Sequence, residues 1–169
     1  MSTEFRFEHV FRAPSPAEVV RAYFDAEHLA IQDKVAGLLE RTVIQQHEDD
    51  TFKEMTWSVR SSRQLPFFVK PLVEGGRLAF HEWQKWKKGT NEVEMSVTPQ
   101  ILGGRVKIAG SYLLTPRGDG QVHRLYKGAI TADVRLIGGK VERGILEEFT
   151  KGVPSMADCT QQWLDAQPK

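Results

Sequence analysis

The sequence predicts an α+β protein: a curved antiparallel sheet of about seven strands, two short helices near the start and one long helix at the C-terminus. Three observations predict it. Apolar residues alternate with polar ones at period two in one segment after another, the mark of half-buried strands. The turns between those segments are short, which allows antiparallel neighbours but not the long crossovers of parallel ones. The last part of the chain changes to apolar steps of three and four, the stripe of an amphipathic helix.

The elements follow in order. Phe5, Phe7, His9 and Phe11 share one face of an opening strand. Ser15-Pro16-Ala17-Glu18 reads as a capping box with proline at the first helical position. Val19, Val20, Tyr23 and Phe24 make the apolar side of that helix. A second helix is expected over about Glu27 to Ala36, with Leu29, Ile31 and Val35 inward and Gly37 as its stop. Strands then fall over 38–47, around Met55-Trp57-Val59, near 77–86, through Val93-Met95-Val97, from Val106 to Leu114, and over about Val122 to Ala132. Lys87 to Asn91 and Pro116 to Gly120 are turn clusters. Ile145, Phe149, Val153, Met156, Thr160 and Trp163 form one stripe of the long helix, which Pro154 should kink near Thr150. No linker divides residues 1–169, so a single domain is expected.

Gly75-Gly76-Arg77, Gly103-Gly104-Arg105 and Gly138-Gly139-Lys140 resemble pieces of phosphate loops. A true loop needs a longer glycine pattern, a Ser or Thr after the lysine and a parallel sheet. Here Val141 follows Lys140, so the glycines read as a corner into the long helix.

Composition excludes several classes. Hydrophobic residues make up 40 % of the chain, charged residues 27 %, and the net charge is +1. That balance suits an ordinary globular protein and gives no electrostatic case for nucleic acid. Cys159 is the single cysteine, which excludes an internal disulfide and a multi-cysteine zinc site. The start lacks the pattern of a signal peptide, and no apolar run is long enough to span a bilayer, so a cytoplasmic protein with at most transient membrane contact is expected. No metal or cofactor signature is present, and none is expected.

Candidate chemistry is sparse. His9 lies on an apolar strand face, either as a hydrogen-bonded core residue or as a polar anchor for a ligand. Glu82 shares its alternation with Leu78, Phe80 and Trp86, whereas His81 goes with Trp83. If the Phe80 face is inward, Glu82 is a carboxylate in apolar surroundings; if the Trp83 face is inward, Glu82 is solvated. Arg41 lies between Leu39 and Val43, either snorkelling or turned inward to bind a carboxylate. Cys159 beside the apolar stripe reads as buried and inert.

Leu65-Pro66-Phe67-Phe68-Val69, His81-Glu82-Trp83, Thr98-Pro99 and "GAITADVRLIGGKVE" (128–142), in this order of elements, resemble a bacterial family of unknown function in the START-like superfamily. The stretch 107–133 resembles the last two strands of the birch pollen allergens, although their glycine-rich loop is replaced here by His47-Glu48-Asp49-Asp50. The resemblance implies the helix-grip fold, in which the sheet wraps the C-terminal helix around a cavity. The lining expected from the apolar sides of the segments is Phe7, Met55, Trp57, Met95, Tyr112, Phe149, Val153 and Met156, with His9, Arg41 and Tyr112 as polar contacts. The function implied is binding of a hydrophobic small molecule (lipid, fatty acid, isoprenoid, sterol-like or polyketide compound) as carrier or sensor. The alternatives are a cyclase- or dehydratase-like enzyme using the same cavity, and an interaction module whose cavity has collapsed.

Overall fold

Alternating and helical segments resolve into seven strands and three helices in a computed structural model, which describes residues 2–62 and 77–168. Strand β1 (Ser2–Arg12) is followed by α1 (Pro16–Phe24) and α2 (Ala26–Ala36). Strands β2 (Leu38–Glu48), β3 (Phe52–Ser61), β4 (Ala79–Lys87), β5 (Glu92–Pro99), β6 (Val106–Gly118) and β7 (Gln121–Ala132) form a meander, and α3 (Gly138–Asp165) closes the chain. The sheet order is β1-β7-β6-β5-β4-β3-β2, antiparallel throughout. This is the helix-grip arrangement. Leu65 to Val69 and Gly75-Gly76 lie outside the described residues.

The register shows which residues share a face. Trp57, Glu82, Val97, Ile108 and Ile130 lie opposite one another across β3 to β7. The neighbouring row is Met55, Gln84, Met95, Gly110, Gly128 and Phe5. Both rows face the helices, so Glu82 points inward and Trp83 outward. Trp83 donates its indole N–H to Glu54 Oε1 at 2.6 Å on the outer face.

Helix ends are fixed by different means. At α1 the expected capping box does not form: Ser15 makes no side-chain cap. Its carbonyl accepts the Glu18 N–H at 3.2 Å, and the Glu18 carboxylate goes to Arg21 at 2.8 Å instead. Asp25 caps α2 properly, accepting from the amides of Glu27 and His28 at 2.9 and 3.0 Å. Gly37 ends α2 in the left-handed conformation at φ 71°. At the start of α3 the buried Glu142 accepts from Thr3 Oγ1 at 2.8 Å and from the Ala132 N–H at 3.0 Å. One carboxylate thus ties the helix to β1 and β7. Gly138 packs against the Ala132 carbonyl where a Cβ would collide, which is the corner role expected of it.

Three apolar clusters fill the interior among the described residues, the smallest joining Ile101, Val106, Ala132 and Val141. Of the larger two, one joins Phe11, Val19, Tyr23, Leu29, Trp57, Val59 and Trp163 across both short helices and the end of α3. The other joins Phe5, Met95, Ile108, Tyr126 and Ile130, with Ile145, Leu146, Phe149 and Val153 of α3 packed on it. Val35, expected inward, is exposed, as are Leu39, Val43 and Ile44. The reason is topological: β2 is a sheet edge, and α2 turns its Leu29 side to the core, leaving Val35 outside.

Candidate functional site

Phe5 is set close to β7 because Gly128 has no side chain. A Cβ there would meet the Ala109 carbonyl, the Gly110 Cα at 2.7 Å and the Phe5 ring at 2.8 Å. Phe5 then meets Tyr126 edge-on, with ring centroids 4.9 Å apart, and Phe149 of α3 at 5.5 Å. This aromatic contact seats α3 over β1 and β7, away from the middle of the sheet.

Among the inward-facing residues, Phe7, Met55, Trp86, Val97 and Tyr112 are only half-buried. Phe149, Val153 and Met156 of α3 are half-buried too. These side chains turn inward and keep part of their surface accessible. Of the residues expected to line a cavity, Phe7, Met55, Tyr112, Phe149, Val153 and Met156 are among these half-buried ones. Trp57 and Met95, also expected to line a cavity, are buried, each within one of the larger clusters.

Arg41 faces the same interior. Its Nε and Nη2 donate to the two oxygens of Asp33, each at 2.8 Å, and its Nη1 donates to Glu82 Oε2 at 2.8 Å. Its guanidinium carbon also sits 5.4 Å from the Trp57 ring centre. Burial alone would lower its pKa, but the two carboxylates overcome that and raise it. Arg41 is therefore neither snorkelling nor unpaired. Gln84 Nε2 lies 3.4 Å from Glu82 Oε1, while the buried Gln84 Oε1 has no partner.

A second polar group centres on Arg124, which the sequence reading passed over. Arg124 is 3 % exposed and donates through Nη1 to the Tyr23 hydroxyl at 3.0 Å. Its guanidinium carbon lies 5.0 Å from the Phe11 ring centre and 5.3 Å from that of Tyr112. Tyr112 stacks on Tyr23 at 4.4 Å and meets Tyr126 at 4.5 Å. Tyr126 directs its hydroxyl at Met95 Sδ, 3.5 Å away. Burial raises the pKa of all three tyrosines, so they are neutral donors at neutral pH. The signal in the sequence was Arg124 at period two between Val122 and Tyr126, an inward position in a strand.

His9 pairs with Arg124 across β1 and β7. Burial, then the Arg124 charge, lowers its pKa, with Asp158 opposing. Its ring lies tilted against that of Phe11, with centres 4.5 Å apart, and it is half-buried. His28, fully buried, holds its Nε2 2.8 Å from Thr160 Oγ1, and that hydroxyl donates to the Met156 carbonyl at 3.1 Å. Cys159 is buried, and burial raises its thiol pKa, as expected of an inert residue.

A separate open groove of about 530 Å³ lies on the outer face, bordered by Trp83, Glu94, Ser96, Lys107 and Ser111. Met95, Ala109 and Gly110 complete its lining. No group of three or more His, Cys, Asp or Glu able to hold a metal occurs among the described residues, and no described helix is long and apolar enough to cross a membrane.

A family model matches residues 6–164. The chain belongs to that family, described as a protein of unknown function (DUF2505). No curated protein matches the chain. Among solved structures, an aromatase/cyclase from a Streptomyces species is 7 % identical, with a TM-score of 0.66 over 98 % of this chain and 94 % of that one. A protein from Thermus thermophilus is 16 % identical, with a TM-score of 0.65 over 97 % of this chain and 98 % of that one. A START superfamily protein from Mycobacterium smegmatis is 9 % identical, with a TM-score of 0.62 over 96 % and 97 %. At these identities the likeness shows the fold, and this DUF2505 member has the START-like one.

Proposed function

We propose that this DUF2505 protein holds a hydrophobic small molecule in the cleft between the inner sheet face and α3, as a carrier or sensor. The observation that carries the reading is the partly buried apolar set on the helix-facing side: Phe7, Met55, Trp86, Phe149, Val153 and Met156 pack inward yet keep part of their surface accessible. Large aromatic and thioether side chains suit an adaptable apolar pocket with few polar anchors. His9, Arg41 and Tyr112 border it, but Arg41 is already held by Asp33 and Glu82. The test is native mass spectrometry of protein purified from its own host, followed by extraction of the bound compound. A stoichiometric apolar adduct supports the reading. Failure both to retain an adduct and to bind a neutral fluorescent apolar probe removes it.

A second reading, a cyclase- or dehydratase-like enzyme, is favoured by one observation: Glu82, Tyr112 and Tyr126 share the inner face, and the Glu82 charge acts on both phenols. Glu82 is ion-paired to Arg41, and the phenols are neutral, so these groups would polarise a carbonyl more readily than remove a proton. Loss of water from an enolisable polyketone, abolished by Tyr112→Phe, would support this reading over simple carriage.

A further inference from the structure

We infer that the ligand of the inner cleft carries a carboxylate, and that Arg124 receives it. The inference rests on the cleft being a hydrophobic-ligand site, as proposed above, and names the head group that the site selects.

The protein treats its two inner arginines differently. Arg41 spends three N–H groups on two carboxylates, so its charge is matched within the chain. Arg124 is more deeply buried, at 3 % exposure, and has no carboxylate within ion-pair distance among the described residues. Its hydrogen-bond partner is the neutral Tyr23 hydroxyl, and its Nε has none. The rings of Phe11 and Tyr112 offset part of the charge through their π faces. They cannot accept the Nε hydrogen in the way that a carboxylate oxygen does. Removing a cation from water without a counter-charge is costly, and a planar carboxylate is the anion that the guanidinium fork fits.

The surroundings indicate what the carboxylate is attached to. Tyr112 covers Arg124 with one ring face and is only partly buried as a residue, so it separates the charge from the rings of the inner sheet face. Beyond it lie Tyr126, Phe7 and Phe149. Those rings suit an apolar body and offer nothing to a small inorganic anion. His9, the ionisable neighbour on β1, has its pKa lowered by burial and by Arg124. It therefore adds no second positive charge at neutral pH. The ligand class is a long-chain or polycyclic carboxylic acid, with its acid group at the α1 end and its apolar body under α3.

The experiment displaces the neutral probe N-phenylnaphthylamine with hexadecanoic acid, hexadecanol and methyl hexadecanoate at neutral pH. The wild type should prefer the acid over the alcohol and the ester by at least about tenfold, the scale of one charge-assisted hydrogen bond. Arg124→Met, similar in length and uncharged, should lose that preference, with acid and alcohol then binding within about threefold of each other. Arg124→Lys should keep a reduced preference, because the charge remains and the fork does not. Equal wild-type affinities for acid and alcohol would overturn the inference and leave the cleft as an apolar site. Undiminished acid preference in Arg124→Met would overturn it too. If Arg124→Met does not fold, the wild-type ratio and Arg124→Lys decide. Failure of the neutral probe and all three competitors to bind would remove the cleft reading and this inference together.

Discussion

Acidification should destabilise the fold through His28, by an amount that can be worked out. The ring is fully buried between α2 and α3. With the Thr160 hydroxyl committed to the Met156 carbonyl, Nε2 carries the proton that Thr160 accepts. Nδ1 is buried without a well-aligned hydrogen bond, although the Ala22 carbonyl lies close enough to the ring to favour its charged form. Burial lowers the pKa from 6.5 to about 4; the Ala22 carbonyl and Asp25 oppose the shift, and Arg124 and Arg41 add to it. A folded pKa below the unfolded one means that the unfolded chain takes up the proton first. The contribution is therefore intact above pH ~6.5 and is lost as pH falls toward ~4. Between those limits the loss approaches ~1.4 kcal/mol per pH unit, or about 2.5 kcal/mol by pH ~4.5. Carboxylates elsewhere also titrate, so the measurement is a difference. Urea unfolding of the wild type and of His28→Gln is followed from neutral pH to pH ~4.5. Gln retains an N–H for Thr160 but cannot protonate. The wild type should lose about 2.5 kcal/mol more than the variant over that range. Parallel profiles, within ~0.5 kcal/mol throughout, would refute the assignment of His28 as a buried neutral imidazole.

Other outcomes follow from the same geometry. Gly128→Ala should destabilise by about 2–4 kcal/mol in thermal unfolding, because its Cβ would collide with the Ala109 carbonyl, Gly110 and Phe5. Arg41→Leu should cost about 2–4 kcal/mol by leaving Asp33 and Glu82 facing each other unpaired, and Asp33→Asn with Glu82→Gln in the same chain should recover most of it. Gly139→Ala combined with Pro154→Ala should slow uptake and release of a fluorescent fatty acid in stopped flow, with equilibrium affinity nearly unchanged. Both residues lie in α3, where proline cannot donate a helical hydrogen bond. Unchanged rates in the folded double variant would confine these residues to shaping the helix.

The sheet was legible because period two survives in every described strand from β3 to β7, and α3 because its stripe runs unbroken from Ile145 to Trp163. The exposure of β2 was not, since Leu39, Val43 and Ile44 look like core residues until the strand is known to be an edge. The face of Glu82 was undecided for a related reason: Phe80 and Trp86 argue for one side and Trp83 for the other, and only the cross-strand register with Trp57 resolves it. Among the candidate residues, the apolar ones could be assigned to the inner face from alternation alone. Arg124 could not be recognised, because its significance is the absence of a carboxylate beside it, and Asp33 beside Arg41 is a contact that no local pattern encodes. Glu142 is similar: its partners are Thr3 and Ala132, brought to it by β1 and β7.

That β1 finds its partner in β7 has a consequence for how the molecule comes into being. Strand β1 must wait for β7, since Ser2 to Arg12 pair with residues 121 to 131. During synthesis the meander from β2 onward can zip up by successive hairpins, while the N-terminal strand and its helices have no ladder to join. Closing so long a loop early is entropically unfavourable, so the rate-limiting event falls late and folding is slow for a chain of this size. The same geometry makes the N-terminal unit separable. A peptide of residues 1–37, supplied in trans to the remaining chain, should add itself to the open edge of β7 and restore the fold, with the rate set by its concentration rather than by the length of the intervening loop.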